Sequence, residues 1–153
     1  MKKTKVLFLC TGNAARSQMA EAFLKAYADE QFEAYSAGLE PTEIHPYTRQ
    51  VMQEVGIDLS DQYAKSLKHY MGKKHFGYLI TVCANADKNC PSVFPGLGQR
   101  LHWDLEDPVT FEGSDEEKLL KFRAVRDQID QRLQAWLAEQ GIIVDADQVP
   151  NRS

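Results

Sequence analysis

Residues 5–18 read KVLFLCTGNAARSQ, an apolar run that delivers Cys10 into a short turn and reaches Arg16 where the residue pattern changes. Val6 to Leu9 suit a buried strand, because they are uninterrupted apolar residues bounded by a Thr-Gly-Asn turn signal. From Ser17 the period lengthens: Met19, Phe23 and Tyr27, with Ala20 and Leu24 beside them, mark one face of an amphipathic helix. The turn therefore joins a strand end to a helix start.

That junction has chemical consequences. Backbone N–H groups of Thr11, Gly12, Asn13, Ala14 and Ala15 have no helical partner and, with the positive end of the helix dipole, converge on an anion. Gly12 permits a tight or left-handed bend, and Asn13 tolerates one and can fix it through its amide. Arg16 adds a planar fork suited to two oxygens of a tetrahedral oxyanion. The same positive field is expected to lower the Cys10 thiol below its ordinary pKa, with Ser17 placed to donate a hydrogen bond to the sulfur. An isolated cysteine at a strand end is ordinarily a core residue. Here strand, turn, arginine and helix coincide in the order that a nucleophile at the floor of an oxyanion cradle requires.

A chain of 153 residues suffices for one domain with a proper core. The expected division is a domain over residues 1–144 and a mobile tail over 145–153, which has little to bury. The net charge of −4, with no basic block, argues against nucleic acid as a partner. The apolar run after the N-terminal lysines is too short for an export signal or a membrane span. With three cysteines, a working thiol set points to a reducing cytoplasm.

Outward from the opening stretch, strands alternate with helices, which predicts an α/β fold with a parallel sheet covered on both sides. Phe32 to Ser36 reads as a second strand closed by Gly38, Phe76 to Val82 as a third ending at Cys83, and Gln99 to Trp103 as a fourth. Pro46 can start a helix with Val51, Met52 and Val55 on its apolar face and Gly56 at its end. Residues 61–74 predict a short helix whose lysines, Lys65, Lys68, Lys73 and Lys74, form a solvated face. Ser114 with Glu117 makes a capping box for a long last helix, along which Leu119, Phe122, Val125, Ile129, Leu133 and Trp136 recur until Gly141.

The loop from Cys10 to Ser17 resembles the phosphate-binding loop of the low-molecular-weight protein tyrosine phosphatase superfamily, and Ser17-Gln18-Met19-Ala20-Glu21-Ala22 resembles its thioredoxin-coupled arsenate reductase branch. The resemblance runs from about residue 4 to about residue 140. It includes Tyr35 to Gly38, Thr81 to Pro91 with Ala86-Asp87, His102-Trp103, Asp107-Pro108 and Phe122 to Asp127. It implies a three-layer, single-domain fold with a four-stranded parallel sheet in the order 2-1-3-4, and catalysis at the carboxyl edge where strand order reverses.

Cys83 and Cys90 are more thiols than a phosphatase needs. If the first and third strands are neighbours at ~4.8 Å, Cys10 and Cys83 fall within the ~4.4–6.8 Å Cα separation of a disulfide. Seven residues of helix between Cys83 and Cys90 would span about 10.5 Å, so that bond would require local unwinding. The resemblance implies the relay: Cys10 attacks arsenate, Cys83 attacks Cys10 as arsenite leaves, and Cys90 resolves the pair to a Cys83–Cys90 disulfide that thioredoxin reduces. Phosphate and sulfate are implied as competing oxyanions, thioredoxin as the electron source, no bound cofactor, and a monomer.

Asp107-Pro108 matches the family's general-acid loop, with Asp104 and Glu106 as neighbouring competitors. The histidines show no partner pattern and receive no catalytic role. Some members bind potassium beside the loop; Asn13, Glu21 and Ser36 match that site, but Lys65 stands where it has an aspartate, and its ammonium can replace the ion electrostatically. No metal is therefore expected. Two other functions remain open: a tyrosine phosphatase using Cys10, Arg16 and Asp107, although Val109 and Thr110 stand where such enzymes carry an aromatic residue, and a non-catalytic thiol switch that binds an oxyanion.

Overall fold

Because Val6 to Leu9 are apolar without alternation, they belong where both faces of a sheet are covered. The computed structural model describes residues 3–89 and 98–144, and in it β1 (Thr4–Cys10) holds Val6, Leu7, Phe8 and Leu9 fully buried. β1 pairs in parallel with β2 (Phe32–Gly38) on one side and β3 (Tyr78–Thr81) on the other. β3 pairs in parallel with β4 (Gln99–His102), completing a parallel sheet, as the alternation predicted, in the order β2-β1-β3-β4 that the resemblance implied.

Four helices accompany the sheet among the described residues: α1 (Arg16–Ala28), α2 (Pro46–Glu54), α3 (Ala84–Asn89) and α4 (Asp115–Glu139). α1 packs on β1, β2 and α4, and α4 also packs on α2. The capping box forms as expected: Ser114 Oγ accepts from the Glu117 N–H at 3.2 Å, and Glu117 Oε1 accepts from the Ser114 N–H at 3.1 Å. Phe122, Val125, Ile129 and Leu133 are buried, and Trp136 lies against Phe32 and Tyr78 with ring centroids 5.2 and 5.1 Å apart. Beyond α4, Gly141 adopts φ 81°, a left-handed value that glycine takes without steric cost.

Two strands are shorter than expected, although their pairing extends further. The Gly77 N–H donates to Lys5 O, that of Val82 to Leu9 O and that of Trp103 to Thr81 O. Residues 61–74 depart from expectation. Instead of a helix they form turns around one 3-10 turn, Leu67–His69, and Lys65 is buried at 8 % exposure rather than solvated. Tertiary bonds take the backbone groups a helix would need: the Lys65 N–H donates to Asn13 Oδ1 at 3.0 Å, and Lys65 O accepts from the Gly38 N–H at 2.8 Å. The tail over 145–153 lies outside the described residues.

Candidate active site

Strand order reverses between β1 and β3, and the register Leu9 opposite Thr81 brings the ends of both strands to the same edge. Cys10 closes β1, and Cys83 follows β3 at the start of α3. The loop between Cys10 and α1 owes its shape to the segment after β2. The N–H groups of Leu39, Glu40, Thr42 and His45 donate to the carbonyls of Cys10, Thr11, Gly12 and Ala14 at 2.8–3.1 Å. Thr48 Oγ1 adds a second bond to Ala14 O at 2.9 Å. In a planar trans peptide the next N–H points away from the carbonyl, so those of Thr11, Gly12, Asn13 and Ala15 turn to the concave side. The Asn13 N–H does so visibly, donating to Cys10 Sγ at 3.1 Å.

Two backbone positions make this possible. The left-handed residue is Asn13, at φ 53°, and not Gly12, which the sequence also allowed. Asparagine tolerates that conformation because its amide compensates. Asn13 Oδ1 accepts from the Lys65 N–H and from Gln18 Nε2, while Nδ2 donates to Ser17 Oγ at 2.8 Å and Ser36 Oγ at 3.0 Å. At the end of β2, a Cβ on Gly38 would lie 2.6 Å from Thr11 O, so only glycine lets the loop rest there.

The sulfur at the floor is 2.8 Å from Ser17 Oγ. Since that oxygen already accepts the Asn13 amide, its proton is free to point at Cys10 Sγ. Arg16 is buried, with Nη1 donating to Leu105 O at 3.0 Å and Nη2 3.4 Å from Asp107 Oδ2. Cys10, the loop, Arg16, Asp107, Thr42 and Val109 line a cavity of about 240 Å³. Arginine and acid, far apart in sequence, thus line one cavity with the nucleophile.

The expectation of a lowered Cys10 pKa is not met. Burial pushes the thiol above its ordinary value, outweighing the Ser17 hydrogen bonds, the Arg16 charge and the Asn13 N–H, all of which pull the other way. The dipole argument omitted the desolvation that comes with a fully enclosed sulfur.

Cys83 is also buried, with its sulfur 3.4 Å from Thr11 Oγ1 and accepting the Ala86 N–H at 3.3 Å. Asn85 Nδ2 donates to Thr11 Oγ1 at 2.8 Å, which leaves the threonine proton for a Cys83 thiolate. The second thiol therefore borders the loop that holds the first. Cys90 lies outside the described residues.

Behind the loop, Ser36 donates to Glu21 Oε1 at 2.5 Å, Lys25 Nζ binds Glu21 Oε2 at 2.6 Å, and Lys65 Nζ is 3.9 Å from Glu21 Oε1 and donates to Tyr63 O at 2.7 Å. Burial lowers the Lys65 pKa, against the raising influence of Glu21. Among the described residues, no group of three or more His, Cys, Asp or Glu is arranged to hold a metal ion. Sequence reasoning missed Leu105 O, Thr42 and the Gln18–Gln62 support under Asn13, none of which carries a local signal.

Residues 5–146 match the low molecular weight phosphotyrosine protein phosphatase family. The chain belongs to that family. Within the phosphatase family it is 40% identical over 92% of its length to an arsenate reductase of Halalkalibacterium halodurans, covering 99% of that protein. A solved arsenate reductase in the phosphate-binding state aligns at a TM-score of 0.74 and 33% identity, covering 89% of this chain and 98% of the other. The thioredoxin-dependent arsenate reductase of Corynebacterium glutamicum aligns at 0.58 and 31% identity, over 88% of this chain and 63% of that one.

Proposed function

We propose that this member of the phosphatase family reduces arsenate to arsenite, with electrons supplied by thioredoxin in the cytoplasm. The observation that carries the reading is the second thiol: Cys83 Sγ sits 3.4 Å from Thr11 Oγ1, on the same loop whose floor is Cys10. Hydrolysis of a phosphate ester has no use for it.

In this reading the inward N–H groups and Arg16 hold the oxyanion, replacing bulk water with fixed dipoles. Ser17 stabilises the Cys10 thiolate, which attacks arsenic while Asp107 gives a proton to the departing oxygen. Cys83 then attacks Cys10 Sγ. The electron pair of the S–As bond stays on arsenic, arsenite leaves, and a Cys10–Cys83 disulfide remains. Cys90 attacks Cys83 and displaces the Cys10 thiolate, and the dithiol of thioredoxin reduces the resulting Cys83–Cys90 bond. The Lys65 ammonium beside Glu21 serves in place of a bound cation.

A tyrosine phosphatase is the second reading, favoured by the complete set of Cys10, Arg16 and Asp107 around one cavity. One assay separates the two. With arsenate, thioredoxin, thioredoxin reductase and NADPH, sustained NADPH oxidation is expected; aryl phosphate hydrolysis without arsenate-dependent oxidation overturns the reductase.

A further inference from the structure

Thr81, Asp87 and His102 come from separate segments, and the oxyanion chemistry leaves all three without a role. The fold gathers them beside α3. Register places Thr81 opposite His102 across β3 and β4, and Thr81 Oγ1 lies 3.1 Å from Asp87 Oδ1 and 2.8 Å from His102 Nδ1. A carboxylate only accepts, so the single Thr81 proton goes to Asp87 and His102 Nδ1–H donates to Thr81. Arg100 Nη2 donates to the Asp87 carbonyl and is 3.5 Å from its Oδ1. An α-helical donor four residues on is excluded for that carbonyl, because residue 91 is proline. Asp87 is thereby tied to β3 and β4 through both its side chain and its backbone.

Besides this clasp, α3 is held near its start by the Asn85 bond to Thr11 Oγ1 and the Ala86 N–H bond to Cys83 Sγ. It is 6 residues long, and Ala86 is its one buried residue. Helices this short are unstable without tertiary support. An ideal helix carried over the seven residue steps from Cys83 to Cys90 would hold the two about 10.5 Å apart, against the ~4.4–6.8 Å of a disulfide, so a continuous helix and that bond exclude each other.

We infer that Asp87 is a positioning residue for the relay: its clasp to Thr81 and Arg100 keeps α3 wound and so sets how readily Cys83 and Cys90 are oxidised. The inference rests on the Cys83–Cys90 step proposed above. Because the clasp exists in the wound dithiol form, it favours that form over the disulfide. It thereby delays the last disulfide until Cys83 is already bonded to Cys10 and makes the final bond easier for thioredoxin to reduce.

The test uses the full chain carrying Cys10→Ser, equilibrated with reduced and oxidised glutathione, then quenched, alkylated and weighed by mass spectrometry. In the reaction the S–S bond of oxidised glutathione breaks and the Cys83–Cys90 bond forms. The two cysteines lose two electrons and two protons, which leave on two molecules of reduced glutathione. Asp87→Ala is expected to raise the oxidation equilibrium constant about tenfold, the scale of a lost hydrogen bond to a charged group. It is also expected to speed hydrogen exchange at the Asp87 amide, which donates to Cys83 O at 3.1 Å. Should the alanine variant unfold, Thr81→Val removes the hydroxyl that donates to Asp87 while keeping the side chain's shape. A folded variant with unchanged redox equilibrium and unchanged exchange overturns the role of Asp87. A parent that forms no Cys83–Cys90 disulfide at any glutathione ratio overturns the relay instead, and the exchange rates still report whether Asp87 holds α3.

Discussion

Replacing Ser17 with alanine tests the activation of Cys10 directly. The Ser17 hydroxyl lies 2.8 Å from the sulfur and 2.8 Å from Asn13 Nδ2, so the amide orients the oxygen and leaves the proton for the thiolate. Hydrogen bonds to charged groups contribute about 1.5–3 kcal/mol, which corresponds to roughly 10- to 150-fold in thiolate population. In a background carrying Cys83→Ser and Cys90→Ser, the rate of Cys10 alkylation by iodoacetamide near pH 7 should therefore fall at least about tenfold in Ser17→Ala. Circular dichroism establishes that the variant is folded. A folded variant whose alkylation rate stays within about threefold of the parent would refute the reasoning, because the donor would then be worth less than an ordinary neutral bond.

Cys83→Ser and Cys90→Ser should each abolish repeated arsenate turnover while sparing hydrolysis of an aryl phosphate; equal loss of both activities counts against the relay. Potassium should leave the melting temperature of the parent chain unchanged and raise that of Lys65→Asp, because the aspartate removes the ammonium from beside Glu21; a marked potassium effect on the parent contradicts this. His45 accepts the Tyr47 N–H through Nδ1 at 3.1 Å, and burial, followed by Lys118, lowers its pKa against the pull of Asp107. Its folded value is depressed, so the stability it contributes is present above the unfolded value of about 6.5 and is lost as pH falls through the folded one. Melting temperature against pH should thus be flatter on the acid side in His45→Asn, and superimposable profiles would exclude the coupling.

Local pattern and composition already contained the sheet, the long capped helix and the nucleophilic loop. Apolar runs such as Val6 to Leu9, the Ser114–Glu117 box and the spacing of Cys10, Arg16 and Ser17 are interactions between near neighbours in sequence, which a short window records. Residues 61–74 misled for the complementary reason: their helical pattern is real, but Asn13 and Gly38 claim the backbone groups of Lys65 from far away. Tertiary structure alone decided that Asn13 takes the left-handed position, that Leu105 and Asp107 meet Arg16, and that burial outweighs the hydrogen bonds and the Arg16 charge at Cys10. Desolvation and long-range hydrogen bonds depend on everything that surrounds a group in space, and no stretch of sequence around that group encodes its surroundings.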